Sequence, residues 1–404
     1  MADPAEENQG ATGFLQMPVE ITERIAKFCD IGDLLTLRLV NREVESKIIR
    51  AYTEAHFVQP AFLLSQERSL QALQQIVGHP QFGKAIKGLY FSTAELPDFD
   101  DWERYKMPIS SQLSLSEQYK CDAREQMYRL LYERQKEFSG SDRAIDLLTR
   151  IFSVLVMSHD GQLGFFVMNT TNSFYSVCES AIEDATGETL TETLHPEKPL
   201  KPIVQALHRS GLSIHTLGVE YRDWVGFLQS LASSEALDHA KGVFANLKRF
   251  ELERLHEDGD EEMVFMLRRT PARVKVFAAA QALERAELST SWSHYERGQT
   301  GEASNIAAMF PAPVYPALSY LQLVGLVLYF EALVHFISQN ETLQNIVIRR
   351  SHFLDEFNQH PPPNEISQHD QALVALLRET AGQRDYRLNK CTVREWEEDM
   401  TLWT

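Results

Sequence analysis

Acidic side chains crowd the stretch His256-Glu257-Asp258-Gly259-Asp260-Glu261-Glu262, and carboxylates at that density could hold a calcium ion. A loop of the EF-hand kind needs alternating Asp positions, a glycine at the sixth and a closing Glu. That spacing is missing, so the run reads as a solvated connection. Cys29, Cys121, Cys178 and Cys391 stand far apart, with no C-x-x-C pair and no Cys/His ligand spacing. The pattern suits reduced thiols in a cytosolic or nuclear protein and argues against a zinc site or disulfide scaffold. The sequence has no G-x-S-x-G, no H-E-x-x-H, no phosphate-binding glycine loop and no G-x-G-x-x-G. His208, His215, His239 and His335 are scattered. No catalytic residue, metal or cofactor is expected; an enzyme of unfamiliar fold, assembled from distant positions, is the alternative.

Association is the chemistry left to these residues. Residues 17–48, MPVEITERIAKFCDIGDLLTLRLVNREVESKI, repeat apolar side chains at helical spacing on a segment too short to enclose a core. Farther on, segment 289–317 gathers Trp292, His294, Tyr295 and Phe310, aromatic groups of the kind that anchor a partner. The other reading of that segment is a disordered insertion.

The elements must position these groups. A formal net charge of −18 over 404 residues gives no general attraction to phosphate backbones or anionic lipid, so neither nucleic acid nor membrane is an expected partner. The N-terminal MADPAEENQGATG has no basic or apolar run of a signal peptide and reads as a flexible tail over residues 1–13. Residues 321–337, LQLVGLVLYFEALVHFI, carry Glu331 and His335 and fall short of the roughly 20 apolar residues a span needs. A buried strand running into a packed helix explains them better.

Ile21, Ile25, Phe28 and Cys29 fall at i, i+4, i+7 and i+8, one face of a first helix opened by Pro18. Asp33 opens a second apolar run, Leu34, Leu35, Leu37, Val40, Val44 and Ile48. Downstream, helices are expected near 66–78, 117–138, 141–157, 200–210, 223–240, 326–338 and 369–381. Short β-like runs alternate with them and share apolar positions 1, 4 and 6. These runs are Ile86-Leu89-Phe91, Leu163-Phe166-Met168, Ile214-Leu217-Val219, Leu247-Phe250-Leu252, Leu283-Ala286-Leu288, Leu318-Leu321-Leu323, Leu343-Ile346-Ile348 and Leu388-Cys391-Val393. Middle positions 217, 250, 286, 321 and 346 step by 33, 36, 35 and 25 residues, which mostly leaves room for a helix between strands. The fold class expected is α/β, an irregular strand-helix solenoid of long leucine-rich-repeat-like units, with an ordinary α/β domain as the alternative. Residues 93–116 and 289–317 read as long loops.

The opening segment resembles an F-box, the helical module by which F-box proteins dock on the Skp adaptor of SCF ubiquitin ligases. Met17-Pro18-Val19-Glu20-Ile21 matches the family's Leu-Pro-x-Glu-Ile start, followed by Ile25 and Phe28-Cys29. Asp33-Leu34-Leu35-Thr36-Leu37-Arg38-Leu39-Val40-Asn41-Arg42 matches its second half. The family often has a Trp shortly afterwards, where this chain has Glu43-Val44, and Met17 replaces the first leucine. The remainder resembles, loosely, fungal F-box proteins with degenerate leucine-rich repeats.

The resemblance implies a three-helix module at 14–57, its third helix at 44–57, and a substrate-recognition domain at 58–404. It implies adaptor docking through Pro18, Glu20, Ile21, Ile25, Leu34, Leu37, Val40 and Arg42, with a cullin reached through the adaptor. The bland alternative is that these residues pack the module onto its own downstream domain. An unknown protein substrate would be held by the repeats. The strand residues flanking the inward apolar pairs are Glu220, Arg249, Glu251, Glu253, Arg285, Glu287, Tyr320, Gln322, Asn345 and Arg349. Of these Arg249, Glu251, Arg285, Tyr320 and Arg349 are the candidate substrate contacts, with Trp292 and Tyr295 from the loop. An F-box scaffold with a non-degradative role is the other binding hypothesis.

Overall fold

Three short helices come first, and polar residues start two of them. In the computed structural model α1 (Val19–Ala26) follows Pro18, whose carbonyl accepts from the Thr22 hydroxyl at 3.2 Å. Helix α2 (Ile31–Val40) is capped by Asp30, which accepts the Asp33 N–H at 2.7 Å. Helix α3 (Arg42–His56) is capped by Asn41, which accepts the Glu43 N–H at 2.6 Å. Each side chain satisfies an N–H that the first turn leaves without an intrahelical partner. The structure describes residues 15–98, 115–158, 163–168, 179–186, 200–220, 234–254, 278–290, 314–324, 327–349, 352–354, 390–394 and 401–402, with single residues between. The expected tail at 1–13 and helix at 369–381 lie outside them, save one helical residue at 375.

The three helices close around Ala26, Leu34, Val44, Ile48, Ala51 and Tyr52. Helix α1 buries Thr22 and Ala26, while Ile21, Ile25 and Phe28 face outward. Small side chains on the inner face let the backbones of α1 and α3 come close, so the large ones have no room there.

Past the helices, the backbone is a mixed α/β arrangement. Strands β1 (Ala61–Leu63), β2 (Gly88–Ser92), β3 (Leu163–Met168), β4 (Ile214–Glu220), β5 (Arg249–Arg254), β6 (Arg285–Thr290) and β7 (Tyr320–Val324) lie side by side in chain order. Then come β9 (Asn345–Arg349), β11 (Lys390–Arg394) and β12 (Thr401–Leu402), giving a 10-stranded sheet among the described residues. All pairings from β1 to β11 are parallel; β12 closes the edge antiparallel. A separate two-stranded ribbon joins β8 (Val327–Tyr329) to β10 (His352–Leu354). Residues 327–329 are therefore strand, and the helix expected from 326 begins only at Phe330.

One sheet face carries the core. Leu89 and Phe91, Phe165 and Val167, Leu217 and Val219, Phe250 and Leu252, Ala286 and Leu288, Leu321 and Leu323, and Ile346 and Ile348 are buried in one apolar cluster. The cluster takes in α4 (Glu67–Gly78), α7 (Asp142–Ser158), α9 (Leu200–Ser210), α10 (Ser234–Phe244) and α11 (Phe330–Gln339). Short α5 (Phe82–Ala85) lies between α4 and β2. Helix α10 overlaps the helix expected at 223–240, where Phe227 is helical as well and most of the residues before Ser234 lie outside the described ones. Leu217, Phe250, Ala286, Leu321 and Ile346 are successive Cα partners, the register expected from their spacing.

The strand junctions repeat as well. The N–H groups of Glu284 and Arg285 both donate to the Lys248 carbonyl, those of Ser319 and Tyr320 to Glu284, and those of Gln344 and Asn345 to Ser319. Asn340, buried, accepts the Tyr315 N–H at 2.7 Å and donates to the Phe336 carbonyl at 2.7 Å, tying two turns together.

Strand β3 departs from the expected register. Leu163 pairs with Ile214, but Gly164 pairs with Thr216, so one residue of β4 is skipped. Because side chains alternate at a period of two, that slip exchanges faces. Phe165 and Val167 enter the core, and Phe166, expected inside, lies half-buried on the opposite face.

The segment expected as a loop from 93 is ordered at its start. Ala94 and Leu96 are buried with Tyr128 of α6 (Leu115–Phe138) and Ile182 of α8 (Glu179–Thr186). Gln135 accepts the Leu96 N–H at 2.9 Å, which helps to hold this extended segment. No helix among the described residues is long and apolar enough to cross a membrane.

Candidate functional site

Two surfaces remain once the cores are closed, and the first is on α1 and α2. Phe28 and Leu39 are each 85% exposed and Val40 is 65% exposed, with Val19, Ile21, Ile25 and Leu35 outward beside them. Of the expected docking residues, Pro18 caps α1, Glu20 lies in its first turn, and both are exposed. Ile21, Ile25, Val40 and Arg42 are exposed too. Leu34 is not. At 2% exposure it belongs to the module's own core, and Leu37 packs half-buried against that core. Here the expectation is corrected: Leu34 supports the surface from beneath, while Leu35 and Leu39 present it.

The joint to the sheet lies at the other end of α3. Phe57 stacks on Phe82 at 4.3 Å between ring centroids, and His79 stacks on Phe82 at 4.0 Å. Tyr52 meets Phe82 edge-on at 6.3 Å. The downstream chain thus packs on Tyr52 and Phe57, which flank His56, leaving α1 and α2 outward among the described residues. Arg38 braces the same region, with Nε 2.8 Å from Glu45 Oε1 and Nη1 3.1 Å from the Tyr52 hydroxyl. The Lys47 ammonium reaches the carbonyls of Leu15 and Met17, fixing the chain entering α1.

His56 makes this joint sensitive to acid. Burial holds its imidazole below the ordinary value of 6.5, and the Arg38 charge adds to that. A histidine depressed in the folded chain binds fewer protons there than when unfolded, so stability is lost as pH falls below about 6.5 toward the folded value. We expect the melting temperature to drop between about pH 7 and 5, and the drop to be shallower in His56→Gln. Thermal melts at several pH values check both; parallel slopes would place the proton uptake elsewhere.

The second surface is the sheet face away from the apolar core. Tyr90 of β2 and Phe166 of β3 stack with centroids 4.5 Å apart and planes 14° from parallel. Glycines make room for Phe166: a Cβ on Gly164 would stand 3.2 Å from its ring, and one on Gly218 would stand 2.4 Å away. Beyond this platform come charges. Arg249 lies 2.5 Å from Glu251 and 2.8 Å from Glu287. Arg285 lies 2.5 Å from Glu287, and its guanidinium sits 3.8 Å over the Tyr320 ring. The Tyr320 hydroxyl donates to Gln322 at 2.8 Å.

The structure therefore brings Arg249, Glu251, Arg285 and Tyr320 into one row of neighbours. Arg349 lies in β9 on the next register line, and its side chain lies outside the described residues, as do Trp292 and Tyr295 entirely. The acidic run 256–262 is outside them as well. Sequence reasoning misses Tyr90, whose stacking on Phe166 requires the pairing of β2 with β3, and places Phe166 inward because of the register slip. Among the described residues no group of His, Cys, Asp or Glu is placed to hold a metal ion. No protein-family model matches the chain, and no curated protein matches it.

Proposed function

We propose that the chain is the substrate-recognition subunit of an SCF-type ubiquitin ligase, an F-box protein whose N-terminal helices dock on a Skp adaptor. The observation that carries the reading is the outward apolar side of α1 and α2 on a helical unit that already has a closed core. Large apolar residues grouped on a surface mark an interaction site, and the Pro18, Glu20 and Ile21 start that resembles the family lies on it. The adaptor would bring a cullin, and through it a ubiquitin-conjugating enzyme. This chain would supply position, by raising the client's effective concentration, while the chemistry stays with the other subunits.

The sheet supports the second half of the reading. Its strand order follows the chain order, each crossover stepping the same way. Parallel crossovers are almost always right-handed, so steps in one direction stack the helices on one face and leave the other face for a client. We read that arrangement as a solenoid with irregular repeats of leucine-rich type. A cytosolic or nuclear location goes with such a role.

Affinity capture of the full chain with a purified Skp-type adaptor, then with adaptor and cullin, tests the reading. A stoichiometric complex that survives gel filtration is expected. A chain that elutes alone at micromolar concentrations of both would reject it.

A further inference from the structure

Two of the histidines that lie scattered along the sequence meet in the helical layer. Helix α9 packs against both α7 and α10. The rings of His208 on α9 and His239 on α10 stack with centroids 3.9 Å apart and planes 24° from parallel. A Cβ on Gly242 would stand 3.6 Å from His208 Nδ1, so the His208 ring reaches across onto α10. His239 Nε2 lies 3.8 Å from Glu235 Oε1, one turn earlier on the same helix. Its other nitrogen, Nδ1, is buried and meets no hydrogen-bond partner among the described residues.

That arrangement fits neutral rings. A neutral imidazole can carry its hydrogen on Nε2 toward Glu235 and leave Nδ1 bare, whereas the charged ring donates from both nitrogens. A proton on His239 Nδ1 would then be a buried donor with nothing to accept it. Two protonated rings this close would also repel. The cations and acids nearby are engaged elsewhere: Arg209 of α9 contacts Asp146 of α7 at 3.2 Å, and Lys241 of α10 contacts Asp238 at 2.9 Å. Glu235 favours a protonated pair, but its side chain is 82% exposed, where water screens it. Burial, and then the His239 charge, hold the His208 imidazole below its ordinary value of 6.5, with Glu235 opposing.

We infer that the His208–His239 stack is a clasp between α9 and α10 that protons release, so that acid loosens this joint ahead of the rest of the chain. The inference is independent of the docking role. A pair that binds fewer protons stacked than parted makes the closed joint most stable above about pH 6.5, and stability is lost as pH falls below that. Release would admit water to Leu207, Ala240 and Val243, which the two helices contribute to the common core.

Hydrogen–deuterium exchange of the full chain at about pH 7.5 and about pH 5.5, corrected for intrinsic rates, tests it. Between those values residues 200–210 and 234–244 should lose at least about tenfold more protection than β2 does. His208→Phe keeps a flat ring on His239 but takes no proton, and it should abolish that excess. His239→Phe should do the same. It should also raise the pH at which the His208 imidazole carbons shift in NMR spectra, because the neighbouring charge is gone. An equal loss in β2 would be general acid instability of the kind set by His56, and it overturns the inference. So does an excess that persists in either variant, or a His208 titration that His239→Phe leaves in place. Thermal melts establish that the variants are folded; should His239→Phe not fold, His208→Phe, at an exposed position, decides.

Discussion

Replacing Leu39 and Val40 together by Gln is expected to cut adaptor capture by about 100-fold or more while leaving the chain folded. Each side chain is largely exposed in the free protein and would be covered in a complex. Burying one such side chain is worth about 1.5–3 kcal/mol, so losing two is worth about 3–6, and each 1.4 kcal/mol is tenfold in affinity. Gln is a good helix former, so the last turn of α2 has little reason to unravel, and surface changes of this kind usually stay within about 0.5 kcal/mol. Leu34→Ala supplies the contrast. Leu34 sits among Ala26, Val44 and Ile48, and its truncation should cost about 2–5 kcal/mol of stability. It would lose the adaptor only by loosening the module. Calorimetric titration with the adaptor, read beside thermal melts, tells the two routes apart. A Leu39, Val40 variant that captures the adaptor like its parent would mean that this surface serves something else.

Those two leucine positions also mark how far the sequence could be read. Helical period identified α2 as amphipathic, but Leu34 with Leu37 and Leu35 with Leu39 both satisfy spacings of three or four. Which stripe points inward depends on α3, whose Val44, Ile48 and Tyr52 pack under Leu34. That is tertiary information. The parallel strands were legible because their inward residues are large and apolar and their junctions recur, as at Lys248, Glu284 and Ser319. Strand β3 was misread for a physical reason. GFFV puts two aromatics side by side, so either could be the inward one, and the register shift at Leu163 and Gly164 decides. The ion-pair row was half visible, as charges flanking apolar pairs. Its pairing across strands required the register, and the seat for Phe166 required knowing that Gly218 is its direct partner.

Gly218→Ala should accordingly be the most damaging single methyl that can be added to the far face. Its Cβ would stand 2.4 Å from Cδ1 of Phe166, a separation real carbon atoms do not share. The ring is hindered from leaning away, since Tyr90 stacks on it at 4.5 Å. Overpacking of this sort costs about 1–3 kcal/mol, and losing the ring stack would add about 0.5–1.5. Alanine recovers about 0.5–1 kcal/mol over glycine in a strand because the unfolded chain is less free. At Gly218 the clash wins; at Gly164, where a few tenths of an ångström of give suffice, the terms come close to cancelling. Urea unfolding should therefore rank Gly218→Ala well below Gly164→Ala. Adding Phe166→Ala to Gly218→Ala should restore part of the loss, because the methyl then occupies space the ring has vacated, and the departure from additivity measures that contact. Equal costs at the two glycines, or strict additivity in the double variant, would mean that Phe166 does not lie across β4.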